Sequence, residues 1–156
     1  MGGGAPSGGR PHLSALAIAP PVRHADRMTP TLNVVGLIVA DMPASLAFYR
    51  RLGLALPDEA DAENHVEAAL DGGMRLTWDT HEVVESFDPS YQHSDGAGRI
   101  ALAFQCDSPA DVDRVYSDVV DAGGHGHLPP WDAVWRQRYA VLHDPDGNAV
   151  DLYAPL

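Results

Sequence analysis

Two matching four-residue segments fix the architecture of this chain. Asp41-Met42-Pro43-Ala44 returns as Asp107-Ser108-Pro109-Ala110, 66 positions later. Each follows a run of strand length, 32–39 and 99–106, and each precedes apolar residues at helical spacing. Leu46, Phe48, Tyr49 and Leu52 supply that face after the first segment; Val112, Val115, Val119 and Val120 supply it after the second. An aspartate ahead of an early proline is a helix start, because the carboxylate caps free N–H groups and proline has none to lose. Gly53 and Gly123-Gly124 provide the stops. The first helix should be followed by a short strand near 54–57, a strand over 65–70, a Gly72-Gly73 turn and a strand over 74–79. The second should be followed by strands around 125–128, 136–143 and 148–153. The expected fold is therefore α+β, two tandem βαβββ modules at about 31–80 and 98–156. A polar loop over 80–97 joins them, long enough to act as a lid.

Composition agrees with a folded domain. Of the 156 residues, 45% are hydrophobic and 21% charged. Residues 1–30 are rich in Gly, Ser and Pro, show no strand or helix period and are expected to be a flexible tail. Three arginines against Asp26 give that stretch +2, so the net charge of −12 becomes −14 on the rest. Such acidity repels phosphates and anionic lipid, which argues against nucleic acid and membrane partners. All ten basic residues are arginine, so lysine Schiff bases and phosphate-loop lysines are excluded. Cys106 is the single cysteine, which rules out an internal disulfide; its strand Ala101-Leu102-Ala103-Phe104-Gln105 reads as core. No apolar run reaches membrane-span length, and a cytoplasmic protein is expected.

The repeat, with Val35-Gly36-Leu37-Ile38-Val39-Ala40-Asp41, Phe48-Tyr49-Arg50-Arg51-Leu52-Gly53-Leu54 and the closing Asp144-Pro145-Asp146-Gly147-Asn148-Ala149-Val150-Asp151-Leu152, resembles the vicinal oxygen chelate superfamily. That superfamily includes glyoxalase I, extradiol dioxygenases and the fosfomycin and bleomycin resistance proteins. The resemblance implies curled mixed sheets around a cavity, usually completed in a homodimer. Phe48 and Tyr49 should seal the first helix to its sheet, and the Asp144–Asn148 carboxylates should hold a tight turn rather than catalyse.

Members with enzymatic activity hold a divalent metal through His, Gln or Glu side chains facing the cavity. Counting from the matched motifs, those places fall on Val34, Arg75, Arg99 and Asp151. Valine cannot ligate and arginine only donates, so no metal and no cofactor are expected. An Arg75–Arg99–Asp151 cluster is expected in the metal's stead, since a buried charge needs a partner. His125-x-His127 has a metal-like spacing, but with glycines flanking it and no third ligand in view, surface histidines are the favoured reading. Binding is thus favoured over catalysis. The expected ligand-binding residues are Arg75, Asp79, Phe87, Tyr91, Arg99, Trp131, Trp135, Tyr139, Asp151 and Tyr153. The expected partner is a hydrophobic or aromatic small molecule, an antibiotic or other natural product, as in the metal-free bleomycin-resistance branch. The alternative is a lyase, epimerase or dioxygenase of the same fold, or a metal-independent enzyme using Asp151 or His143 as base.

Overall fold

The structure is a computed structural model that describes residues 32–94 and 100–156. The expected tail, the end of the linking loop and Arg99 lie outside the described residues. Strand β1 (Val34–Val39) leads into helix α1 (Met42–Arg51), then β2 (His65–Ala69), β3 (Arg75–Thr80) and a short helix α2 (His81–Phe87). The second half runs β4 (Ala101–Gln105), α3 (Pro109–Asp121), β5 (His125–Ala133), β6 (Gln137–His143) and β7 (Ala149–Pro155).

The strands form two curled mixed sheets, one ordered β1-β3-β2 and the other β4-β7-β6-β5. In each, the first strand of the module lies parallel to the last, and the remaining pairs are antiparallel. Such a parallel pair needs a crossover, and α1 or α3 lies within each one. The first helix starts as the repeat predicts. Asp41 Oδ1 accepts from Ala44 N at 2.9 Å with Pro43 in the first turn. The second cap moves by one residue: Ser108, not Asp107, caps α3, accepting from Asp111 N and donating to Asp111 Oδ2 at 2.7 Å. The shorter hydroxyl sits next to Pro109 and reaches Asp111, two residues beyond it, closing a reciprocal cap.

Three further expectations are corrected. No strand forms at 54–57. Pro57 has no N–H to give a ladder, and Arg50 takes the local carbonyls instead, donating from Nε to Leu56 O at 2.8 Å and from Nη2 to Pro57 O at 2.7 Å. The same guanidinium binds Asp61 at 2.8 Å within the 3-10 turn Asp58–Ala62 that follows. The linking segment is not all loop, since it opens with α2. Finally, β5 runs on past Leu128 to Ala133, with register shifts on either side of Leu128 that absorb the Pro129-Pro130 pair at the edge of the sheet.

One apolar core spans both sheets beneath α1 and α3. Leu37, Val39, Leu76 and Trp78 face it from the first sheet; Leu142, Val150 and Leu152 face it from the second. Trp78 is fully buried and meets Tyr49 edge-on at 5.4 Å, so it belongs to the core as its strand parity implies. Tyr49 also donates to Asp144 Oδ2 at 2.9 Å. Asp144 in turn accepts from Asp146 N, Asn148 N and Asn148 Nδ2. One buried carboxyl thereby closes the β6–β7 turn, with Gly147 at φ 83°, and ties it to α1. The two sequence elements that carry the resemblance meet at this contact.

Candidate ligand-binding face

Strand alternation puts every second side chain on the face of each sheet turned away from α1 and α3. On the second sheet that face gathers aromatics. Trp131 and Tyr139 are register partners across β5 and β6, and Trp135 comes from the turn joining those strands. The three rings meet edge to face: Trp131–Trp135 at 6.2 Å, Trp131–Tyr139 at 5.3 Å and Trp135–Tyr139 at 5.4 Å. Trp135 remains half exposed. On β7, Tyr153 lies opposite Tyr139 and Asp151 opposite Val141. Tyr139 donates to Asp151 Oδ2 at 2.6 Å. Burial first, then the Asp151 hydrogen bond and charge, pushes the Tyr139 phenol up to about 12, so it stays protonated and keeps donating. Tyr153 lies 3.5 Å from Gln105 Oε1.

The same face of the first sheet is polar. His65 Nδ1 is 2.6 Å from Asp79, His65 Nε2 is 3.2 Å from Glu67, and Glu67 accepts from Arg75 at 2.8 Å. This chain of polar contacts corrects the expected arginine–aspartate cluster. Arg75 and Asp151 lie on different sheets, so each is satisfied locally, Arg75 by Glu67 on β2 and Asp151 by Tyr139 on β6. Arg99 lies outside the described residues. Neither His65 nor Glu67 stands out in the sequence; only the antiparallel register, His65 against Asp79 and Glu67 against Thr77, brings them to the site.

The hydrogen bond to Asp79 first, and Glu67 after it, raise the His65 pKa above its ordinary value. Protonated His65 therefore adds stability that is complete below the ordinary histidine range and disappears as pH rises through the higher folded value. The side chain is about half exposed, so the effect is expected to be under about 1 kcal/mol. Histidine chemical shifts followed against pH should place His65 above an ordinary histidine, and Asp79→Asn should bring it down.

The remaining expected residues lie elsewhere. Phe87, at the end of α2, is 72% exposed. Tyr91 accepts or donates to His81 Nδ1 at 3.0 Å and lines a cleft of about 280 Å³ with Val35, Ile38 and Leu102. An adjoining cleft of about 590 Å³ holds His81, His93 and Asp146. Asp146 Oδ1 accepts from Ala40 N, while Oδ2 is buried without a hydrogen-bond partner among the described residues. Burial raises its pKa.

The chain belongs to the Glyoxalase/Bleomycin resistance protein/Dioxygenase superfamily, whose family pattern matches residues 31–152. Among solved structures it is similar to a glyoxalase/bleomycin resistance protein/dioxygenase family enzyme from Burkholderia phytofirmans PsJN, with 22% identity and a TM-score of 0.69 over 81% of this chain and all of that one. A glyoxalase-related enzyme from Fulvimarina pelagi shares 19% identity at a TM-score of 0.67, covering 81% of this chain and 88% of that one. A lactoylglutathione lyase from Agrobacterium tumefaciens shares 21% identity at a TM-score of 0.56, covering 81% and 94%. These similarities establish the shared fold. No curated protein matches the chain. Among the described residues, no helix is long and apolar enough to cross a membrane.

The metal that enzymes of this superfamily hold does not fit the side chains at the corresponding places. Val34 offers no donor atom, and its register partner Arg75 carries only N–H groups, already committed to Glu67. Asp151 alone offers a carboxylate, on the other sheet.

Proposed function

We propose that the protein binds a flat, cationic, partly aromatic natural product on the Trp131–Trp135–Tyr139 face, in the manner of the bleomycin-resistance branch, and protects by sequestration in the cytoplasm. The observation that carries this reading is the aromatic triad standing half open to solvent beside a carboxylate. Large aromatics left partly exposed in one cluster mark a surface meant to be covered. A planar ligand gains stacking from Trp131 and Trp135, while Asp151 and the acidic domain favour positive charge. The lack of ligating side chains at Val34 and Arg75 supports binding without the superfamily's usual metal. It equally disfavours a lyase or dioxygenase that needs that metal. A second copy of the chain would close the open sheet faces over the ligand, making the working form a homodimer.

Titration of the purified protein with a planar cationic dye of the acridinium type, followed by tryptophan emission, tests this. Quenching should saturate, and Trp135→Ala should weaken binding about tenfold or more, the size of an aromatic anchor. Trp78, sealed in the core, should keep its emission throughout. No saturable quenching by planar cations, neutral planar compounds or quinones would reject the reading.

A further inference from the structure

We infer that His125, His127 and His143 form a binding site for a divalent transition metal of the zinc class, separate from the places where the superfamily's enzymes hold theirs. One imidazole nitrogen from each residue lies within 4.8 Å of the other two. The convergence is built by the strands. His125 and His143 are direct register partners at the start of β5 and the end of β6. Strand alternation puts His127 on the same side as His125, and the register shift between Gly126 and Leu128 leaves it as the extra residue of β5. The His127 and His143 rings stack at 4.4 Å, and His125 and His143 at 4.9 Å.

Gly126, which by sequence argued against a ligand strand, is what permits the site. A Cβ there would lie 2.2 Å from the Tyr116 hydroxyl oxygen and 2.9 Å from Val120 Cγ2. Position 126 therefore presses against α3, and the histidines on either side must point the opposite way, into the open. A third ligand, invisible in the local spacing, arrives from 16 residues downstream through antiparallel pairing.

The partners of the other histidines sharpen the distinction. His65 is held by Asp79 and Glu67, His81 by Tyr91, and His93 by Glu85. Among the described residues no side-chain hydrogen bond or ion pair holds His125, His127 or His143. Neutral imidazoles suit zinc, nickel and copper far better than magnesium or calcium. Three of them leave a fourth position for water or a ligand atom. Zinc–nitrogen bonds of about 2.0–2.1 Å put tetrahedral donors about 3.4 Å apart, so the nitrogens need to close by little more than about 1 Å. Rotation of the exposed His125 and His127 side chains supplies that movement. His125 and His143 also border a cleft of about 340 Å³, which gives the ion a way in. Three residues of β6 lie between His143 and Tyr139, about 13 Å along the strand, so the two sites sit on one face of the sheet without sharing a residue.

Calorimetric titration of the full chain with Zn²⁺, after removal of any affinity tag and stripping with chelator, tests the site without reference to tryptophan emission. About one zinc per chain should bind. His125→Ala and His143→Ala should each weaken it at least about tenfold, since losing even a supporting outer partner of a metal ligand costs about 10–100-fold. His93→Ala, and the pair His12→Ala with His24→Ala, should leave affinity unchanged. Co²⁺ substitution should give visible d–d absorption that His143→Ala abolishes, with the metal-free circular dichroism of the variant unaltered. Absence of zinc binding, or zinc binding that survives His143→Ala, would overturn the assignment.

Discussion

Replacing Asp144 with Ala should cost about 3–5 kcal/mol of folding stability, among the larger effects of any single substitution in this chain. The residue is 3% exposed, and its carboxylate accepts four hydrogen bonds, two on each oxygen. Truncation leaves the Tyr49 hydroxyl stranded in the core, where Tyr49 has no solvent exposure. It also frees the backbone N–H groups of Asp146 and Asn148, opening the turn that sets the β6–β7 register. Tyr49→Phe removes only one of the four donors and adds no orphan donor, so about 1–2 kcal/mol is expected. Because both substitutions break the same contact, the double variant should be less destabilised than the sum of the two. Thermal and urea denaturation of the three variants decides the matter. A midpoint drop for Asp144→Ala of about 10 °C or more agrees. A drop no larger than that of Tyr49→Phe would mean that the turn closes without the carboxyl.

Much of this fold was legible because its signals are local. The Asp41 and Pro43 helix start, the Gly53 and Gly123 stops and the Gly147 turn each depend on residues within a few positions of one another. Strand parity likewise separated Trp78 and Leu152 from Asp79 and Asp151 on opposite faces. The failures share one physical origin, competition from partners distant in sequence. Arg50 takes the Leu56 and Pro57 carbonyls before a strand can use them. Glu67 takes Arg75 before Asp151 can. The candidate sites follow the same rule. Trp131, Trp135 and Tyr139 could be grouped by proximity in the chain, and the structure brings them into contact. His65 with Asp79, and His143 with His125 and His127, depend on antiparallel register across a turn, which no spacing rule for a single strand reveals.

The largest expected effect on binding is that of Asp151→Asn. The carboxylate is the one formal charge on the face of β7 beside the aromatic triad, and Tyr139 holds it in place from 2.6 Å. A hydrogen bond or contact made to a charged group is worth about 1.5–3 kcal/mol, so a planar cation should bind about 10–100-fold more weakly to the amide variant. A neutral planar compound of the same footprint stacks on the same rings and should lose little. Folding should hardly change, because the side-chain carbonyl of the introduced amide can still accept from Tyr139. The phenol supplies a second readout. Its pKa, now about 12, should fall once the charge is gone, yet stay above the ordinary tyrosine value, since burial is its first cause. Difference absorbance of tyrosinate between the two proteins reports that shift, and paired titrations with cationic and neutral ligands report the binding. The remaining charge dependence should weaken with added salt, because the site is partly open to solvent. Equal losses for the two ligands would show that Asp151 shapes the face without attracting charge, and cationic selectivity would have to arise elsewhere on the acidic domain.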